Sequence, residues 1–174
     1  RRSGRVASEK TGCSIVAMNA KRGENTEPIR IGIGLNTGAC VVGNVGSPQR
    51  FDYSVLGDVV NTASRIEETT KTYGTPIIIG EQTAADAADF AIVEITTTAL
   101  RGQDRGETLF ALVGDETAAR HPRWEDLKRH VLEFAQAMAT NDVPAARRHI
   151  VAARSLGVLD AAPLLEAAEQ RLPL

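Results

Sequence analysis

Asp52-Tyr-Ser-Val-Leu-Gly-Asp-Val-Val-Asn-Thr-Ala-Ser-Arg-Ile-Glu67 is the stretch whose reading decides the fold. Phe51 to Leu56 reads as a short strand. Gly57 interrupts it, and Asp58 is placed to N-cap a helix. That helix is predicted to run through Val59, Val60, Ala63, Ile66 and Glu67 to Tyr73, with Gly74 ending it. Asn61 and Arg65 stand four apart, so they share a face of this helix. The face lies near the helix N-terminus, where the macrodipole favours anions. An amide beside a guanidinium suits a sugar hydroxyl and a phosphate. The same spacing also fits a plain solvated helix face.

Upstream, Ile29, Ile31, Ile33 and Leu35 alternate with Arg30, Gly32, Gly34 and Asn36, the period of a strand. Asn36-Thr37-Gly38 reads as a turn and Ala39 to Val42 as a second strand, which together predict a hairpin. Gly43 to Pro48 reads as a loop. Residues 1–27 are polar, with a helix-compatible stretch ending near Ala20 to Arg22 and a loop over Gly23 to Pro28. Gly32, Gly34, Gly38, Gly43 and Gly46 do not form a dinucleotide fingerprint, because Thr37 occupies the third glycine position. No Gly-Lys-Ser/Thr follows them, so they are not a P-loop. They are expected to serve tight turns and close packing.

Downstream, Pro76 to Gly80 reads as a buried strand and Glu81 to Ala88 as a short helix. Phe90 to Thr97 and Thr108 to Val113 read as strands around an Arg101-Gly102-Gln103-Asp104 turn. Composition shifts near Gly114. Beyond Glu116 no strand pattern remains, and Trp124, Leu127, Val131, Phe134 and Met138 form one helical stripe. Pro122 fits the first turn of that helix. A turn over Asn141 to Pro144 leads to a second helix carrying Ala146, Ile150 and Ala153. Asp160 is placed to cap a third, carrying Leu164, Leu165, Ala168 and Leu172. The expected division is 1–114 as an α/β (α+β) domain and 115–174 as a helical hairpin extension, similar to one tetratricopeptide-type unit. One such unit needs something to pack on.

The 174 residues are 43% hydrophobic and 24% charged, which excludes wholesale disorder. Aromatics are only 4%, so Val, Ile, Leu and Ala must build the core. A net charge of −2 gives no electrostatic case for nucleic acid or an anionic membrane. No apolar run approaches a membrane span. Cys13 and Cys40 make neither a disulfide framework nor a zinc site, and are expected to be bystander thiols in a reducing cytoplasm. His121, His130 and His149 all fall in the tail. With no carboxylate or thiolate pattern beside them, they are not expected to bind metal.

Arg30-Ile-Gly-Ile-Gly-Leu-Asn-Thr-Gly38, then Val41-Val-Gly-Asn-Val-Gly46, then the Asp52 to Glu67 block resemble the class III nucleotidyl cyclase catalytic domain. Tyr73-Gly74, the Pro76 to Gly80 run, and the Arg101-Gly102 turn before Thr108-Leu-Phe-Ala-Leu continue the resemblance over roughly residues 10–114. The tail also looks like those that follow bacterial members. The resemblance implies a ferredoxin-like domain that works as a dimer with sites at the interface. It implies conversion of ATP or GTP to the 3′,5′-cyclic nucleotide and pyrophosphate, with two magnesium or manganese ions (Mg2+ or Mn2+). By the family's roles, Asn61 orients the ribose and Arg65 stabilises charge building on the α-phosphate. Ser54 falls at the base-recognition position, where a bacterial subgroup carries Thr or Ser. A hydroxyl is compatible with adenine, so ATP is expected over GTP. Arg101 falls at the triphosphate-contacting basic position, while Gln103 stands where many members have Lys.

The family's two metal-binding aspartates lie upstream of the block that begins here at Arg30, and residues 1–29 contain no Asp. The Lys that completes base recognition is absent as well. The chain begins Arg1-Arg2-Ser3 without Met, and the expectation is an N-terminally incomplete domain. Hard cations need carboxylate oxygens, which Asn61, Arg65 and Ser54 do not offer. The chain alone is therefore expected not to cyclise ATP. It is expected to pair with a second copy or with a cyclase partner subunit. The alternative is a non-catalytic regulatory fragment that docks on a complete cyclase.

Overall fold

A computed structural model describes residues 17–22, 26–47, 50–99 and 106–173. The architecture is mixed α+β. A four-stranded sheet is built from β1 (Ile33–Leu35), β4 (Ile77–Gly80), β6 (Gly106–Gly114) and β5 (Ala91–Ala99), in that spatial order. β1 and β4 are parallel, with Ile33 opposite Ile77, and the other two pairings are antiparallel. Between β1 and β4 the chain makes a separate hairpin, β2 (Val41–Ser47) with β3 (Arg50–Leu56), and then helix α1 (Asp58–Tyr73). A short α2 (Glu81–Asp86) links β4 to β5.

The predicted pairing of the Ile29 strand with Ala39 to Val42 is not what forms. β1 is shorter, and its ladder partner is the non-local Ile77–Ile79. Before β1 the backbone of Ile29 is taken up by a side chain instead: Asn19 Nδ2 donates to its carbonyl and its N–H donates to Asn19 Oδ1, both at 2.8 Å. The expected loop over Gly43 to Ser47 is strand, because β3 supplies a full antiparallel ladder from Val41↔Leu56 to Ser47↔Arg50.

Helix α1 begins with Gly57 at the N-cap, so Asp58 is its first residue rather than its cap. The Asp58 carboxylate still lies in the first turn, where the dipole favours it, and Lys71 lies in the last. Gly74 closes the helix in the left-handed conformation at φ 61°, as the sequence predicts. The buried stripe is Thr62, Ile66 and Thr70. Thr70 keeps its hydroxyl satisfied by donating to the Glu67 carbonyl at 2.7 Å. This face rests on β1 and β4. The approach is close: a Cβ on Gly34 would collide with the Ala63 carbonyl oxygen and lie 2.5 Å from the Glu67 nitrogen.

The tail adds α3 (Glu116–Ala119), α4 (Trp124–Ala139), α5 (Val143–Ser155), a 3-10 turn (Leu159–Ala161) and α6 (Ala162–Gln170). Asp115 caps α3 by accepting from Thr117 and Ala118 N–H, and Asp142 caps α5 by accepting from Ala145 N–H. Two expected helix starts differ. Pro122 precedes α4, which starts at Trp124, and Asp160 sits inside the 3-10 turn, leaving Ala161 at the N-cap of α6. Trp124, Leu127, Val131 and Phe134 are buried as the stripe predicts, with Met138 only partly covered.

α4 lies against β5, α5 packs on α4, and α6 returns to touch α1. One contiguous core results, from Ile66, Ile78, Val93, Ile95 and Leu109 through Trp124, Phe134 and Ile150 to Leu165. The alternation Ala91, Val93, Ile95 on β5 and Leu109, Ala111 on β6 supplies the sheet's contribution. No described helix is long and apolar enough to cross a membrane.

Candidate active site

Helix α1 carries the two residues that its sequence brings forward. Its inner stripe is pinned to the sheet, and Asn36 Nδ2 at the end of β1 donates to the Val59 carbonyl near its start, at 3.4 Å. Asn61 and Arg65 sit one turn apart, about 6 Å along the axis, on the side turned away from that stripe. Asn61 is exposed and Arg65 half-buried. An anchored helix presenting an amide and a guanidinium in one line is a rigid way to hold two polar groups of one ligand.

Ser54 is half-buried in the middle of β3, opposite Gly43. Strand alternation puts it on the same side of the hairpin as Val41 and Leu56, whereas Tyr53 and Val55 point to the other side with Val42. Arg101 and Gln103 lie outside the described residues, as does Cys13; Cys40 is a free, exposed thiol. Asn61 and Arg65 are therefore brought together on one element, and Ser54 on a neighbouring one.

Among the described side chains of the hairpin, apolar residues on both sides are uncovered. Val41 is 71% exposed and Tyr53 76%, with Val42, Val55, Leu56 and Val60 of α1 also open. A two-stranded ribbon is at best marginally stable on its own. Exposed apolar side chains on both faces of a ribbon are the kind of surface that a protein partner covers.

The divalent ions that the resemblance implies meet no convergent set of ligands around Asn61 among the described residues. Among the described residues, one group of His, Cys, Asp or Glu converges closely enough for an ion, and it is His130, Glu133 and His149 in the tail, not a group around Asn61. Glu133 is a carboxylate of the kind that the tail histidines were expected to lack. The signal was a His-x-x-Glu pair on α4 that gains meaning only when α5 brings His149 opposite.

The model of the adenylate and guanylate cyclase catalytic domain matches residues 12–114. Adenylate cyclase 1 of Rhizobium meliloti (strain 1021) is 32% identical over 97 residues, 55% of this chain and 15% of that protein. Adenylate cyclase of Anabaena cylindrica is 53% identical over 53 residues, 30% of this chain and 11% of that protein. The chain thus spans only a small part of the length of these curated relatives. Among solved structures, the adenylyl cyclase CyaB from P. aeruginosa superposes with a TM-score of 0.51 at 27% identity, covering 61% of this chain and 54% of that one. The matched region holds the whole sheet, the hairpin and α1 with Asn61 and Arg65, and by it the chain belongs to the adenylate and guanylate cyclase catalytic domain family.

Proposed function

We propose that this chain supplies the ribose- and phosphate-gripping half of an adenylate cyclase site shared across a dimer interface. The reaction is conversion of ATP to 3′,5′-cyclic AMP and pyrophosphate, in cyclic-nucleotide signalling. Asn61 holds the ribose, and Arg65 meets the charge that develops on the α-phosphate. Ser54 meets the adenine edge, and Arg101 the triphosphate. Ser54 favours ATP because its hydroxyl both donates and accepts, as adenine N1 and its amino group require; GTP is the alternative substrate.

The observation that carries the reading is the placement of Asn61 and Arg65 one turn apart on a helix locked to the sheet, beside an uncovered apolar hairpin. The hairpin is the surface that a second copy or a cyclase partner subunit would cover. Among the described residues no group of carboxylates converges around Asn61, and in this reading the carboxylates that hold the family's two metal ions come from the partner. By itself the chain is then a docking half without turnover, and the alternative reading is a non-catalytic regulatory fragment that docks on a complete cyclase.

The test mixes the chain with a class III cyclase whose counterpart of Arg65 is replaced by Ala, in ATP and Mn2+. Recovered cyclic AMP supports a shared site. No recovery, with binding of the two chains demonstrated, leaves the regulatory reading. Cyclic AMP from the chain alone overturns the proposal.

A further inference from the structure

Two histidines and a glutamate converge between the first two long helices of the tail. His130 and Glu133 are three apart on α4 and share a face. α5 folds back along α4 and sets His149 opposite them. The two Nδ1 atoms are 3.3 Å apart. Glu133 Oε2 lies 2.9 Å from His149 Nδ1 and 3.5 Å from His130 Nδ1. The side chains are 20% (His130), 28% (His149) and 38% (Glu133) exposed, so water reaches the cluster from one side.

With neutral rings and an ionised carboxylate, hydrogen bonds pair at most two of the three edges of this triangle. Each neutral ring nitrogen carries either a proton or a lone pair, and the ionised carboxylate only accepts. If both Nδ1 atoms are protonated, two N–H groups face each other. If one is bare, its lone pair faces the carboxylate. Each of these assignments leaves one edge of the triangle without a hydrogen bond. A cation at the centre turns all three lone pairs inward and removes the conflict. The dimensions agree: tetrahedral zinc with N and O ligands at about 2.0–2.1 Å has ligand-to-ligand edges of about 3.3–3.4 Å. The edges here are 2.9, 3.3 and 3.5 Å.

We propose that His130, Glu133 and His149 form a divalent transition-metal site, with Zn2+ as the ion that the two imidazoles and one carboxylate select. Water takes the fourth position from the exposed side. The ion ties α4 to α5. The site is separate from the one built on α1, and does not depend on the proposed cyclase reaction.

The test titrates the full chain, stripped with chelator and dialysed, with ZnCl2 in a calorimeter. One saturable Zn2+ per chain is expected. Glu133→Gln and His149→Gln are each expected to weaken binding at least about tenfold, with unchanged circular dichroism, while His121→Gln leaves it unaltered. No saturable binding, or equal affinity in all variants, overturns the proposal. If a variant misfolds, the unaltered chain decides by NMR. Zn2+ must shift the ring resonances of His130 and His149 and leave those of His121 in place; the reverse overturns the site.

Discussion

The guanidinium of Arg171 lies over the ring of Tyr73, with 4.4 Å from its central carbon to the ring centroid. Tyr73 is the last residue of α1, so the end of the tail is stacked on the end of the helix that carries Asn61 and Arg65. The Phe134 ring of α4 is also in range, at 5.7 Å. Burial lowers the pKa of this guanidinium, and the charge interaction and hydrogen bond with Tyr73 oppose the shift. A desolvated cation–π contact of this kind contributes about 1–2 kcal/mol. Arg171→Ala is expected to lower unfolding free energy by about that amount, read from urea denaturation. Arg171→Lys should recover only part of it, because the ammonium lacks the planar stacking surface. An unchanged midpoint in Arg171→Ala would contradict the contact.

Gly34 tests the docking of α1. Any Cβ there meets the Ala63 carbonyl oxygen and the Glu67 nitrogen, which are backbone atoms and cannot swing aside. Gly34→Ala is expected to cost about 1–3 kcal/mol by overpacking. It should also displace the helix that presents Asn61 and Arg65. Thermal unfolding measures the first effect, and loss of activity in the mixed-subunit assay measures the second.

Leu127 tests whether tail and sheet share one core. It is fully buried on α4, which lies against β5. Leu127→Ala is expected to cost about 2–5 kcal/mol. Hydrogen exchange should then quicken at Val93 and Ile95 of the sheet as well as in the tail. Acceleration confined to residues beyond 115 would show two independent cores.

What was legible in the chain was local. The bounds of α1, from the Gly57-Asp58 break to Gly74, follow from helix-ending chemistry, and the Trp124 stripe follows from periodicity. The run Ile77 to Ile79 reads as a buried strand because it is short, continuous and apolar. The partner of β1 was not legible, because Ile33 pairs with Ile77 across 44 positions and no turn residue announces that choice. The Asn19 clamp on Ile29, the Arg171 stack on Tyr73 and the His130–Glu133–His149 triangle all depend on tertiary approach. Asn61 and Arg65 were visible by spacing as a pair on one face. Ser54 and Arg101 entered only through the family resemblance, since a lone hydroxyl in a strand and a lone basic residue in a turn carry no pattern of their own.

The exposed hairpin gives a further outcome. Val41 and Tyr53 lie on opposite sides of the ribbon, and both are largely open. Val41→Asp with Tyr53→Ser should weaken self-association or docking on a cyclase subunit, measured by sedimentation. The melting temperature of the unassociated chain should not fall, because neither side chain belongs to the core.

The central claim is that Asn61 and Arg65 act on a nucleotide whose metal ions are held elsewhere. Mixed-subunit turnover measures this most directly. The chain is combined with a cyclase that retains its metal aspartates but lacks its own counterpart of Arg65. The account predicts cyclic AMP from the mixture, none from either chain alone, and a loss of at least about 100-fold with Arg65→Ala or Asn61→Ala in this chain. Equal turnover by the Arg65→Ala and unaltered chains would contradict it.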